Sequence, residues 1–383
     1  MSVTAARGFR AAGATAGLKR SGRPDVALVV NDGPRQDAAA VFTANRCKAN
    51  PVLWSERTVS DGRLAAVVLN SGGANCYTGA EGFRTTHAAA ELVAHVVGAG
   101  AFDVAVCSTG LIGEQLDRTR LEDGIRKAAA GLGRQGGPDA AAAIMTTDTR
   151  PKQSVVAGDG WVVGGMAKGA GMLAPALATM LVVITTDAVA AGPALDRALR
   201  ESTRRTFDRL DTDGCMSTND TVLLMSSGAS GVEPTEAEFG AAVTRTCADL
   251  TRQLWADAEG AAHQVAVEVV NAASEQDAVE VGRSVARSAL FKCAVFGGDP
   301  NWGRVLAAIG TTGASFDPAS VSVAINGVQV CRDGGTGDPR ELVDLSARDV
   351  SVTIDLEAGT ASATILTTDL THDYVHENSA YST

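Results

Sequence analysis

The sequence predicts an α/β protein with a mixed β-sheet and helices on its faces, and three observations carry that prediction. Short apolar runs rich in β-branched residues alternate with alanine-rich stretches of helical period. Glycine-centred turns between some of these runs ask for hairpins, so part of the sheet is antiparallel. Finally, 45% hydrophobic residues, 20% charged residues and 42 glycines in 383 residues describe a folded, turn-rich chain. That length allows two packed lobes.

Residues 64–69 and 104–107 read as strands, and residues 86–97 and 116–132 as helices. Between residues 155 and 166 the apolar run is split by Gly158-Asp159-Gly160, which reads as a hairpin. A helix near 193–207 follows, then a longer one opening at Pro234-Thr235-Glu236, where proline and acids suit a first turn. Nearer the C-terminus, residues 320–325 and 350–356 alternate as strands do, and Asn326-Gly327 and Ala358-Gly359 are read as their hairpin turns. No repeat of fixed period or low-complexity linker stands out. The best boundary candidate is the glycine-rich stretch ending at Pro175.

Charge and cysteine usage remove several classes of function. With 33 basic and 44 acidic residues the net charge is −11, and the bases are scattered, so nucleic acid is not an expected partner. The apolar run around 180–184 is too short for a bilayer and no secretory apolar core opens the sequence, so a cytoplasmic protein without membrane contact is expected. Seven cysteines without a CxxC pair point to reduced, mostly buried thiols. His372 and His376 stand four apart in a polar tail without a third ligand, so no metal is expected.

Chemistry is concentrated after Gly164, in GGMAKGAGMLAPALATMLVVITTDA. A glycine-rich approach delivers Ala178-Thr179 to the mouth of an apolar strand. A threonine nucleophile needs a base, and a chain cut just before it supplies one in the new α-amine. That amine's ordinary pKa of roughly 7.7 to 8.0 lies near operating pH, so it needs little adjustment to accept the hydroxyl proton. In such a cut Thr179 Oγ attacks the Ala178 carbonyl, and water hydrolyses the resulting ester. Small Ala178 and the glycines before it permit the close, strained backbone approach. Taken alone, an Ala-Thr pair is more often an ordinary strand feature. The glycines do not form a phosphate cradle either, because GxxxxGK[ST] and GxGxxG are absent.

KGAGMLAPALAT, residues 168–179, resembles the processing motif of the bifunctional ornithine acetyltransferase and glutamate N-acetyltransferase family. The resemblance runs the length of the chain. GFRAAGATAGLK, AVFTANRCKANPV, NSGGANCYTG, STGLIG and MTTDTRPK precede the motif in the family's order. FDRLDTDGCMSTNDT, AEGA, FGGDPNWGR and DYVHENSAYST follow it.

The resemblance implies the layered fold of self-processed, N-terminal-nucleophile acyltransferases (the ornithine acetyltransferase/DmpA-like fold). It divides the chain into an α chain, 1–178, and a β chain, 179–383, cleaved between Ala178 and Thr179. Thr179 is then the nucleophile, and Thr109 and Gly110 form the oxyanion hole through a hydroxyl and a backbone N–H. Thr147, Lys168, Thr179, Glu259, Asn378 and Thr383 bind substrate. Asn70, Gly72 and Asn75, with Asp299, Asn301 and Arg304, are typical of the family and expected to shape the pocket or hold loops.

The implied reaction moves acetyl from N-acetylornithine to glutamate by a ping-pong route through acetyl-Thr179, in arginine biosynthesis and without metal or organic cofactor. Acetyl-CoA is a second donor in some members. The expected assembly is a heterotetramer of two α and two β chains. Two rivals stand beside this reading: a self-processing amidohydrolase or aminopeptidase that uses water as acceptor, and an uncleaved amino-acid-binding protein.

Overall fold

The structure is a computed structural model and describes residues 2–174 and 180–380. Ala178, Thr179 and Thr383 lie outside the described residues. Among these residues the chain forms three sheets.

The first sheet is built from β1 (Phe9–Ala14), β2 (Val26–Asn31), β4 (Ala66–Ser71) and β5 (Val104–Thr109), in the order β1-β2-β4-β5. Only β4 and β5 run parallel. The second has the order β3-β9-β8-β7-β6, from β3 (Asp37–Phe42), β6 (Lys152–Ala157), β7 (Val162–Lys168), β8 (Leu181–Thr186) and β9 (Thr221–Ser226). Here β8 and β9 are parallel and the remaining pairs antiparallel.

The period-two alternation of a strand explains why these runs are apolar without a break. Val26, Leu28 and Val30 of β2, with Ala66 and Val68 of β4, pack under α1 (Asn50–Thr58), α2 (Gly79–Val97) and α3 (Arg118–Ala130). Their neighbours Val29, Val67 and Leu69 face the second sheet, meeting Met166, Leu181, Val183, Leu223 and Met225. The short α4 (Gly137–Ala143) closes the end of that inter-sheet core. On the second sheet's other face, Val182, Ile184, Val222 and Leu224 pack against α5 (Gly192–Arg205) and α6 (Glu236–Ala256). The result is a helix–sheet–sheet–helix sandwich whose central strands are buried on both sides. α6 begins as its sequence suggests: Thr235 accepts the Glu238 N–H while Glu238 accepts the Thr235 N–H, a reciprocal cap.

The third sheet lies C-terminal in sequence. β10 (Gln264–Ala272), β11 (Ser322–Ile325), β12 (Val328–Arg332), β13 (Gly335–Thr336), β14 (Asp349–Asp355) and β15 (Ala361–Thr368) take the order β13-β12-β11-β14-β10-β15. α7 (Glu275–Ala286), α8 (Ala289–Phe296) and α9 (Trp302–Ile309) cover one of its faces, and α10 (His372–Ala380) ends the described chain.

Two sequence expectations need correction. Asn326-Gly327 does turn a hairpin, β11 to β12. Ala358-Gly359 does not, because β10 lies between β14 and β15, parallel to the first and antiparallel to the second. Turn residues mark a chain reversal, but they do not say which strand fills the gap. The glycine-rich stretch ending at Pro175 is also no lobe boundary: β7 before it and β8 after it are adjacent strands, pairing Lys168 with Leu181.

All seven cysteines are free, with Cys76, Cys107, Cys247 and Cys331 buried and Cys47, Cys215 and Cys293 exposed. No helix among the described residues is long and apolar enough to cross a membrane.

Candidate active site

The two stacked sheets bring the end of β5, the end of β7 and the starts of β8 and β9 to one edge of the sandwich, and the polar residues gather there. Thr109 is the last residue of β5. Its carbonyl accepts the N–H groups of both Gly72 and Gly73, each at 3.0 Å. Asn70 holds that glycine turn by donating to the Gly73 carbonyl at 3.2 Å and accepting the Ser108 hydroxyl at 2.6 Å. Gly110 then turns away with φ +129°, where a Cβ would come within 2.5 Å of the Gly73 nitrogen. Only glycine fits this backbone.

Lys168, the last residue of β7, is buried and donates from Nζ to Thr109 Oγ1 at 3.3 Å. With a donor on that oxygen, the Thr109 hydroxyl proton is free to point into the site. Burial lowers the Lys168 ammonium from its ordinary range; Asp148 opposes that shift and a second cation, Lys152, adds to it.

Asp148 organises the floor beneath these residues. Its Oδ1 accepts the Gly169 N–H at 2.7 Å and the Lys152 ammonium, and its Oδ2 accepts the Thr146 N–H at 2.9 Å. Burial alone would raise its carboxyl, but Lys168, Lys152 and the Gly169 N–H outweigh burial and hold it at about 2. Lys152, completely buried, also pairs with Asp257, which in turn accepts the Thr149 N–H at 3.0 Å and the Thr149 hydroxyl. Lys152 thus bridges two buried acids, and the MTTDT segment is fixed from both ends.

Glu259 forms the opposite wall. Its Oε1 accepts the Thr147 hydroxyl at 2.6 Å and its Oε2 accepts the Asn378 amide at 3.1 Å. Gly171 makes room for it, because a Cβ there would come within 2.3 Å of the Glu259 carboxylate. The Glu259 N–H donates to the Ala170 carbonyl at 3.0 Å, tying this wall to the glycine-rich approach. Thr147 and Glu259 open onto a cleft of about 610 Å³ that α10 borders with His376 and Glu377. Two larger hollows, of about 730 and 780 Å³, lie beside α1 and along β3 and hold none of these residues.

Of the residues singled out in the sequence, Thr109, Gly110 and Lys168 therefore form one cluster, and Thr147, Glu259 and Asn378 form another. Gly72 and Asn70 support the first. Asn75 instead anchors the start of α2, donating to the Gly82 carbonyl and the Thr86 hydroxyl. Asp299, Asn301 and Arg304 hold the α8–α9 connection, where Asn301 caps α9 and Arg304 donates to the Leu290 carbonyl.

Sequence reasoning missed the loop before β9. Asn219 donates to the carbonyls of Ala74 at 2.6 Å and Ser108 at 2.8 Å, locking the two sheets together beside Thr109. Asp220 accepts the N–H of Met180 at 3.1 Å. The signal is the polar run Thr218-Asn219-Asp220 set directly before an apolar strand, inside FDRLDTDGCMSTNDT.

The profile of the ArgJ family matches residues 10–383. The arginine biosynthesis bifunctional protein ArgJ of Streptomyces coelicolor is 65% identical over 382 residues, covering 100% of both chains. Its namesake from Thermobifida fusca is 62% identical over 383 residues, again with 100% coverage of both. A solved ornithine acetyltransferase from Mycobacterium tuberculosis, in complex with ornithine, is 49% identical over 47% of this chain and 96% of its own, with a TM-score of 0.43.

Proposed function

The chain belongs to the ArgJ family, and from that premise we infer that the Thr109–Lys168 and Thr147–Glu259 clusters are two halves of one acetyl-transfer site. The protein is an acetyltransferase of arginine biosynthesis that uses ornithine and glutamate compounds as substrates. The observation that carries the assignment is the match over residues 10–383, which includes every residue of both clusters.

In our reading Thr179, freed by a cut after Ala178, takes acetyl from N-acetylornithine as an ester and passes it to the α-amine of glutamate. The Thr109 hydroxyl and the Gly110 N–H hold the developing oxyanion; each such donor contributes roughly 3 to 4 kcal/mol in comparable sites. Lys168 supports this by occupying the Thr109 oxygen and by adding positive field where a carboxylate or oxyanion must sit. N-acetylornithine carries a carboxylate and a side-chain ammonium, so it needs a cation and an anion in one cleft. Glu259, held by Thr147 and Asn378, supplies the anion. Thr383 completes the set at the end of the chain. We further propose a cytoplasmic heterotetramer of two 1–178 and two 179–383 chains, with acetyl-CoA as a second donor.

The test supplies N-acetylornithine with and without glutamate. The transfer reading expects N-acetylglutamate and ornithine in equal amounts only when glutamate is present. Consumption of N-acetylornithine with glutamate supplied but no N-acetylglutamate formed would assign a hydrolase instead.

A further inference from the structure

N-acetylornithine and glutamate differ in their side chains but share an α-carboxylate, so a site that takes each in turn can hold that group in both half-reactions. In the acetylated substrate the carboxylate lies three bonds from the acetyl carbonyl carbon, and those bonds span no more than about 4 Å. The cation that holds it therefore has to stand close to Thr109 and Gly110. Three lysines gather there. Lys152 is paired with Asp148 and Asp257, and Lys168 donates to Thr109 Oγ1. Lys19, at the end of GFRAAGATAGLK, is the third.

The backbone around Lys19 fixes it beside the oxyanion hole. Asp25, completely buried just before β2, accepts the N–H groups of Ala16 and Leu18 at 2.6 Å each and of Lys19 at 3.1 Å. Its carbonyl accepts the N–H of Ser71, the last residue of β4, at 2.9 Å. Leu18 lies against Gly72, where a Cβ would come within 2.9 Å of the Leu18 carbonyl carbon, and Gly72 is one of the two residues whose N–H holds the Thr109 carbonyl. From this anchor Lys19 Nζ reaches the carbonyls of Pro24 at 2.8 Å and Ala143 at 3.5 Å. The Ala143 carbonyl also accepts the Ser71 hydroxyl at 2.6 Å, and the chain runs on from it into MTTDT. Nζ thus stands between the end of β4 and the segment that carries Thr147, on the flank of the Thr109–Lys168 cluster.

Among the described residues the Lys19 ammonium donates only to these two neutral carbonyls. A partly buried cation without an acid in contact, set near a second cation, gains most from an anion. We propose that Lys19 binds the α-carboxylate of N-acetylornithine and of glutamate in turn, while Lys168 stays on Thr109. The electrostatics agree with that geometry. Burial lowers the Lys19 ammonium to about 8, Lys168 and Arg23 add to the fall, and Asp25 and Asp148 oppose it. A carboxylate in contact would restore the charged form.

This inference rests on the acetyl-transfer reading, and the experiment separates the two. Steady-state kinetics of the parent, Lys19→Met and Lys19→Arg are measured with glutamate as acceptor and two donors: N-acetylornithine, and N-acetylputrescine, the same molecule without its α-carboxylate. The parent should prefer N-acetylornithine by roughly 10- to 100-fold in kcat/KM. Lys19→Met should raise KM for N-acetylornithine and for glutamate roughly 10-fold or more with a smaller change in kcat, yet use N-acetylputrescine within about threefold of the parent. Lys19→Arg keeps the charge and should retain part of the preference. A lysine that only staples its loop would weaken both donors alike; that result, or unchanged KM values, overturns the role of Lys19. So does a parent that uses the two donors equally. If Lys19→Met does not fold, Lys19→Arg decides, the parent's full preference overturning the proposal. A parent that forms no N-acetylglutamate from N-acetylornithine overturns the acetyl-transfer reading, and this inference with it.

Discussion

Thr109 shows how much a single side chain carries in this site. Its carbonyl is held by two glycine N–H groups, its hydroxyl oxygen by a buried lysine, and only its hydroxyl proton is left to act. Thr109→Val keeps the β-branched shape and removes that proton. We expect kcat to fall roughly 100- to 1,000-fold with a much smaller change in KM, as for loss of one oxyanion donor; steady-state kinetics with N-acetylornithine and glutamate measures the split. A rise in KM at unchanged kcat would instead make Thr109 a ground-state binding residue. Motif order drew attention to Thr109, Lys168, Thr147 and Glu259 in the sequence. Their pairing across 59 residues in one case and 112 in the other was invisible there, since nothing local encodes it. Asp220 escaped notice for a different reason: an acid before a strand usually makes a turn, and only its burial marks it out.

Among the elements, strands were readable in two ways, β14 by its alternation and others by unbroken apolar runs. β4, β5 and the apolar strand after residue 179 appear as continuous apolar runs because one sheet packs on another and helices cover the outside. α6 was readable from Pro234-Thr235-Glu236 because its cap is local. The start of α2 was missed, since Gly79 and Gly82 read as breakers while Asn75 and Thr78 supply the contacts that hold that turn. The insertion of β10 between β14 and β15 escaped for the same reason that long-range pairing always does.

The segment 146–152 is held together through the Asp148 carboxylate. Asp148 is held at about 2 against an ordinary 3.8. A carboxyl depressed in the folded state stabilises fully above its ordinary value, and that stability is lost as pH falls through the folded one. Asp148→Asn should therefore lower the Tm most at neutral pH, and the gap to the parent should narrow from about pH 4 towards 2. Thermal melts across that range would show a constant gap if the carboxylate did not provide the effect.

At the scale of the whole molecule, the proposed cut after Ala178 falls between two adjacent strands of one sheet. β7 and β8 pair from Val163–Thr186 to Lys168–Leu181, and β3, from the first part of the chain, pairs with β9 from the second. The inter-sheet core likewise mixes Val29, Val67 and Leu69 with Leu181, Val183 and Leu223. Cleavage should therefore leave both fragments in one particle, with two bands on a denaturing gel and a single species by size-exclusion chromatography. Fragments that separate without denaturant would mean that the shared sheet does not hold them. This sharing also explains why the glycine-rich stretch reads as a boundary in the sequence: it interrupts the pattern of elements without interrupting the sheet.

The central claim is that acetyl passes through Thr179 of a cut chain. Brief incubation with N-acetylornithine alone, acid quench and mass analysis of the fragments tests it most directly. The account predicts a fragment beginning at Thr179, heavier by one acetyl group on that residue and returned to its original mass when glutamate is added. N-acetylglutamate formed by a chain that stays whole, or by a fragment never acetylated at Thr179, would contradict it.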